Sequence, residues 1–166
     1  LGERIDGRAF VTATNTITFM DSRADYVISH IMFPGLIDRI RTETNTLNLP
    51  YLSIGSSVII QANEISAVVS APTMLYPANV SDTRNAYASF LAVLCVFKKY
   101  MKANPKITTL VCGAPCCGWG GMDGREAAKQ VFDAYLDFHL GRSPKEDPMY
   151  ADQTHVFIKS ESENTA

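Results

Sequence analysis

Hydrophobic and polar positions recur along the chain with two periods, and the switches between them predict the elements. Ala9-Phe10-Val11-Thr12-Ala13-Thr14 is a short apolar run that reads as a buried strand. The polar stretch Asn15-Thr16-Ile17-Thr18 follows, and residues 21–32 read as helical. A second helix is predicted after Pro34-Gly35, because Phe33, Leu36, Ile37 and Ile40 fall at helical spacing. Residues 42–50 are rich in Thr and Asn and end in Pro50, so they read as loop. Ser57-Val58-Ile59-Ile60-Gln61 and Ala67-Val68-Val69-Ser70-Ala71 are strands separated by the polar Asn63-Glu64 turn. Their close spacing suits a hairpin, so part of the sheet is expected to be antiparallel. Pro72 ends the second strand, since proline cannot donate to a ladder.

A long helix is predicted over residues 82–103, with Tyr87, Phe90, Leu91 and Leu94 on one stripe. Lys98, Lys99 and Lys102 suit its carboxyl end, where the helix dipole favours cations, and Asn104-Pro105 stops it. Ile107-Thr108-Thr109-Leu110-Val111-Cys112 is the next strand. In the last helix Asp123 and Glu126 resemble a capping box. Ala128, Val131, Phe132, Tyr135, Leu136 and His139 keep helical spacing on one apolar face, and Gly141 and Pro144 supply the stop. His155-Val156-Phe157-Ile158 is a candidate final strand. Residues 1–159 read as one domain and Ser160–Ala166 as a flexible tail. The alternation of strands and helices predicts an α/β fold with helices sandwiching a mixed sheet.

Composition narrows the class. The chain has 166 residues, 46% hydrophobic and 19% charged, which suits one folded globule. A formal charge of −2 gives no basic face for nucleic acid, and no apolar run reaches membrane length. No signal peptide is visible, although the chain opens abruptly at Leu1. The four cysteines, at 95, 112, 116 and 117, lack the paired spacings of a zinc site, so no metal is expected. They read as reduced thiols, which suits an intracellular, cytoplasmic protein.

Three segments carry candidate chemistry. From Leu110 to Gln130 a strand runs into Gly113, Gly118, Gly120 and Gly121 before a capped helix. Glycines let backbone amides approach a ligand, and a nest of amides holds phosphate without a cationic side chain. The spacing matches neither the P-loop nor the dinucleotide fingerprint. A glycine-rich connection with no ligand is the competing reading. Thr14-Asn15-Thr16 follows the first strand, with Asp21 and Asp25 beyond. Asn15 suits a ribose diol and Asp25 a hydroxyl or a water, whereas simple turn chemistry and a helix cap are the plainer alternatives. Ser70-Ala71-Pro72-Thr73-Met74 leaves a strand towards Asp82-Thr83-Arg84-Asn85 and reads either as a cleft rim or as a structural crossover. Trp119, the only tryptophan, is placed to stack on a base or ribose, or to plug the loop against the core. His30 and His139 fall on mainly apolar helix faces and read as packed, and Cys117 reads as a buried, inert thiol.

Together these segments resemble the macro domain, in its divergent viral and bacterial form. That form has a strand ending in Ala-Asn, then Phe-Met-Asp, small residues and a second Asp. The corresponding run here is Val11-Thr12-Ala13-Thr14-Asn15-Thr16-Ile17-Thr18-Phe19-Met20-Asp21-Ser22-Arg23-Ala24-Asp25. Ala71-Pro72-Thr73-Met74, Thr83-Arg84-Asn85-Ala86-Tyr87, Gly120-Gly121-Met122 and Glu126-Ala127-Ala128 continue the likeness in order, over roughly residues 9–138. The resemblance implies a three-layer α/β/α sandwich and a two-loop cleft for ADP-ribose or a related nucleotide diphosphate, with no cofactor. It places Asn15 at the distal ribose and Gly118, Trp119, Gly120 and Gly121 at the phosphates. Thr14, Asp21, Ala71 and Gly113 complete the expected lining, and Asn15 and Asp25 are the candidate catalytic pair. ADP-ribosyl hydrolysis is the alternative activity, with an ADP-ribosylated protein as substrate. A degenerate scaffold acting through protein contacts is the third reading. A monomer is expected, in the host-cell cytoplasm if viral. The chain departs from the pattern at Thr14, at Ser22-Arg23, and at Ala114 and Cys116, where the family usually has Ala, paired glycines and Gly. Gly2-Glu3 stands weakly in place of the amino-terminal Gly-Asp-Ile element. Bulk at those positions crowds the expected site.

Overall fold

Alternating side chains on the strands divide the core into two layers. In the computed structural model, residues 6–15, 20, 23–48 and 51–141 are described. Asp21, the end of the 42–50 segment, the candidate strand at 155–158 and the tail at 160–166 lie outside them. Strand β1 (Arg8–Thr12) runs parallel to both of its neighbours. On the far side of β2 (Val58–Asn63) and β3 (Ser66–Ser70) comes β1, then β4 (Thr109–Val111), giving the order β2-β3-β1-β4. The β2–β3 pair is the expected antiparallel hairpin, with a register shift between Gln61 and Asn63. Phe10, Ile60 and Val68 join one cluster with Met20, Phe33, Leu36 and Ile40. Ala9, Ala67 and Val69 join another with Val93 and Phe97. Period-two alternation thus places a helical layer on each face of the sheet.

The first layer holds α1 (Arg23–Tyr26), which passes directly into a π-helical turn over Val27–Met32, and α2 (Leu36–Thr46). Phe33 N–H donates to Ile28 O at 3.0 Å, the wide closure of that turn. Helix α2 corrects the expected loop over 42–50, because it continues through Thr46. Thr42, Thr44 and Thr46 each donate a hydroxyl to the carbonyl four residues back, at 2.8, 2.9 and 2.9 Å. Their polar groups are satisfied within the helix, and Thr44 is buried on its core face.

The second layer holds α3 (Asn85–Ala103) and α4 (Gly124–His139), which pack against each other. The apolar stripe expected to face the core of α4 is corrected here. Ala127, Gln130 and Ala134 are buried, whereas Ala128, Phe132, Tyr135, Leu136 and His139 are exposed. Small alanines let α4 lie close to α3, and the wider apolar sector extends beyond that contact. His30 is likewise exposed, stacked on Tyr26 with centroids 4.4 Å apart, so neither histidine is packed in the core. Among the described residues no helix is long and apolar enough to cross a membrane. A shallow hollow of about 240 Å³ lies at the amino ends of β3 and β4, lined in part by Gln61, Tyr100 and Lys106. It is at the opposite end of the sheet from the candidate residues.

Candidate functional site

Because β1, β3 and β4 are parallel, their carboxyl ends and the segments that follow gather at one edge. The first product of that arrangement is a buried polar floor. Thr12 Oγ1 donates to Asp25 Oδ1 at 2.7 Å. Two residues further on, the Thr14 and Ser70 hydroxyls meet at 3.1 Å. Thr73 N–H donates to Thr14 O at 2.9 Å, and Asn15 forms a parallel bridge with Met74. Asn85, at the start of α3, donates its side-chain amide to Thr73 O at 2.9 Å. Thr12, Thr14, Asn15, Asp25, Ser70 and Thr73 are all buried, with Asn15 only 5% exposed. Buried polar groups persist when their hydrogen bonds are made, and here they tie the ends of two strands to the starts of two helices.

The glycine-rich loop forms the second half. Cys116 stands in left-handed backbone, with φ 67°. Its carbonyl accepts from Met122 N–H at 3.0 Å, and Gly121 N–H donates to Gly118 O at 3.1 Å. Cys117 N–H closes a longer bond to Ala114 O at 3.5 Å. The amides of Gly118, Trp119 and Gly120 have no hydrogen-bond partner among the described residues. A run of consecutive unpaired N–H groups in a tight loop attracts anions. The loop is fastened from the side as well, since Val80 N–H donates to Gly120 O at 2.8 Å. Gly120 is required there: a Cβ would lie 2.6 Å from Cys116 O and 2.8 Å from Val80 Cγ2. Gly118 and Gly113, in contrast, have nothing within 4 Å of an added Cβ.

The thiols of this loop are not activated. Burial pushes the Cys116 thiol up to about 12, helped by the adjacent Cys117 and opposed by a hydrogen bond from the Thr73 side chain. Cys117, only half-buried, is raised by burial and by the Asp123 charge. Both are protonated near neutrality and are weak nucleophiles.

The structure thus brings Thr14, Asn15, Asp25 and Ala71 to one strand-end floor, and Gly113, Gly118, Trp119, Gly120 and Gly121 to one loop. Asp21 lies outside the described residues. Ser70–Met74 is buried throughout and forms floor, where a rim was one of the two expectations. Trp119 is 77% exposed, which excludes the plug reading. Thr12 and the Thr73–Asn85 bond carry no mark of their role in the sequence motifs, while Ser70 falls in the segment that reads as rim or crossover. The available signal was polar residues at the inward positions of otherwise apolar strands. Asp123 caps α4 as expected, accepting from Arg125 and Glu126 N–H, but Glu126 turns to Gln130 Nε2 at 2.9 Å.

No family model matches the chain, and no curated protein sequence matches it significantly. Solved structures do match. The macrodomain of Mycobacterium tuberculosis DarG is similar over 81% of this chain and 85% of its own, with a TM-score of 0.60 and 14% identity. The Oceanobacillus iheyensis macrodomain with ADP is similar over 92% of this chain and 85% of its own, with a TM-score of 0.62 and 15% identity. Thermosipho africanus DarTG in complex with ADP-ribose gives a TM-score of 0.55 at 16% identity, over 77% of this chain and 34% of its own. The architecture is an α/β/α sandwich with a mixed central sheet. More narrowly, it is the macro-domain fold.

Proposed function

We propose that the chain binds ADP-ribose or a related nucleotide diphosphate between the Asn15 segment and the glycine-rich loop. The observation that carries this reading is the run of amides at Gly118, Trp119 and Gly120 that have no partner among the described residues. It sits beyond the carboxyl end of β4, where α/β sheets collect ligands. Two similar structures are complexes, the Oceanobacillus iheyensis macrodomain with ADP and Thermosipho africanus DarTG with ADP-ribose. On this reading the three amides hold the diphosphate, with Gly113 and Gly121 shaping the loop around it. Exposed Trp119 stacks on the ribose or base. Asn15, with Thr14 and Ala71 beside it, meets the distal ribose. Asp25 serves from beneath: its Oδ1 accepts from Thr12, which supports binding over hydrolysis. Calorimetry with ADP-ribose is expected to show heat and a thermal shift. Absence of both at millimolar ligand rejects the proposal, and release of ADP-ribose from a modified protein turns it into the hydrolase alternative.

A further inference from the structure

Resting on that reading, we infer that Thr83 and Asn85 are positioning residues, a clasp that sets the two halves of the cleft relative to each other. A continuous run of hydrogen bonds passes through them from one half to the other. On the Asn15 side, Thr73 N–H donates to Thr14 O at 2.9 Å, and the Asn85 side-chain amide donates to Thr73 O at 2.9 Å. Asn85 N–H donates to Thr83 Oγ1 at 3.2 Å. The Thr83 hydroxyl in turn donates to Val80 O at 2.7 Å, and Val80 N–H donates to Gly120 O at 2.8 Å. The run therefore ends inside the glycine-rich loop. The turn that Thr83 closes also bounds this loop by contact. Cβ atoms at positions 120 and 121 would lie 2.8 Å from Val80 Cγ2 and 2.9 Å from Asn79 Nδ2. Asn79 is itself held, since its Oδ1 accepts from Ser81 N–H at 3.0 Å. Val80 packs in one apolar cluster with Cys116, Met122 and Met74, the residue that bridges to Asn15. Gln130 Nε2 donates to Thr83 O at 2.8 Å, so the helix that follows the loop is fastened to the same residue. The clasp thus joins the ends of β1 and β3 to the loop after β4. A ligand that spans both halves reads their separation, whereas one held by a single half does not.

The test uses Asn85→Leu, which removes the amide donor at similar volume, and Thr83→Val, which removes only the hydroxyl. Thr83→Ser, which keeps the hydroxyl, is the control. Two probes are titrated well below the melting temperature, so that loss of folded protein does not enter. ADP-ribose, which spans both halves, is followed by calorimetry. Inorganic pyrophosphate, a ligand for the loop amides alone, is followed by the Gly118, Trp119 and Gly120 amide resonances. Asn85→Leu and Thr83→Val are each expected to weaken ADP-ribose binding about fivefold, the equivalent of one buried hydrogen bond, with pyrophosphate affinity unchanged. Thr83→Ser is expected to match the unmodified chain. The double variant Thr83→Val/Asn85→Leu is expected to lose no more than the larger single loss, because both residues lie on one run of bonds. A purely structural role would instead lower the melting temperature and leave ADP-ribose affinity unchanged. Equal weakening of both probes, or additive losses in the double variant, would also overturn the inference. Amide exchange in the ligand-free protein gives an independent readout. Asn85→Leu acts directly on Thr73 O, yet it is expected to speed exchange about fivefold at Val80, whose N–H is given to Gly120 O on the other side. Unchanged exchange at Val80 would overturn the coupling. If the unmodified protein shows no heat with ADP-ribose, the binding proposal fails and exchange at Val80 alone decides the role of the clasp.

Discussion

At the scale of single residues, the glycine-rich loop separates architecture from ligand contact. A methyl group at position 120 has to displace Cys116 O and Val80, whereas one at 118 meets nothing. Gly120→Ala is therefore expected to destabilise the fold by about 1–3 kcal/mol, as overpacking does. Gly118→Ala is expected to leave the melting temperature unchanged while weakening ADP-ribose binding, because the methyl intrudes where the amides meet the phosphates. Paired melting and calorimetry check both. Asp25 is expected to show the opposite balance. Asp25→Ala leaves the buried Thr12 hydroxyl without its carboxylate and is expected to cost about 1–3 kcal/mol in a chemical denaturation experiment. Cys116 gives a pH signature. Its folded pKa, about 12, exceeds the ordinary value of 9.0, so the folded protein holds the thiol proton more tightly. That stability is present below pH 9.0 and is lost as pH rises towards 12. Melting curves above pH 9.0 should therefore fall less steeply for Cys116→Ala than for the unchanged chain. Of these residues, Asn15 and the glycines were visible in the sequence as residue types suited to a ligand. Ser70 and Thr73 were visible only within a segment that reads as rim or crossover, and Thr12 was not, because a threonine inside a strand pattern carries no mark of the partner it will meet from another element.

At the scale of elements, the start of α3 is completed by α4. Arg84, the residue before α3, offers no side-chain cap. Thr83 Oγ1 accepts from Asn85 N–H at 3.2 Å, and Gln130 Oε1 on α4 accepts from Tyr87 N–H at 3.2 Å. Gln130 Nε2 donates back to Thr83 O at 2.8 Å. First-turn amides have no partner within their own helix, so the Gln130 bonds from a second helix add to the local cap that Thr83 supplies. Gln130→Leu fills a similar volume but removes the bonds to Tyr87 N–H and Thr83 O. It is expected to lower stability by about 1–3 kcal/mol with helix content retained, measured by denaturation followed by circular dichroism. Element types were well marked in the chain: the β2–β3 hairpin, α3 with its Asn104-Pro105 stop, and the Asp123 cap all follow from local pattern. The facing of α4 was not. Its apolar sector is wider than its contact with α3, and periodicity gives the sector without saying which part is covered. The extent of α2 was hidden for a different reason, since threonines that signal loop by propensity settle into a helix when their hydroxyls bond back along it.

At the scale of the whole molecule, ligand binding and folding are linked through the same strand ends. A ligand held by the folded state alone stabilises it by mass action, by about 2.7 kcal/mol at a hundred times Kd. ADP-ribose at that excess is expected to raise the melting temperature by several degrees, whereas adenosine, which lacks the diphosphate that the Gly118–Gly120 amides would hold, is expected to give a much smaller rise. What the sequence by itself determined was the inventory: strand and helix types, the α/β class, the glycine-rich loop and the likeness to macro domains. These depend on interactions among near neighbours in the chain, which periodicity and turn chemistry record. Tertiary structure alone decided which residues share the site. Parallel pairing of β1 with β3 and β4 brings Thr73 to Thr14, and Met74 packs in one cluster with Cys116, across long separations in sequence. It buries Asp25 against Thr12. Those contacts are set by strand order and register, and no local pattern encodes them because each partner's environment is created by the other.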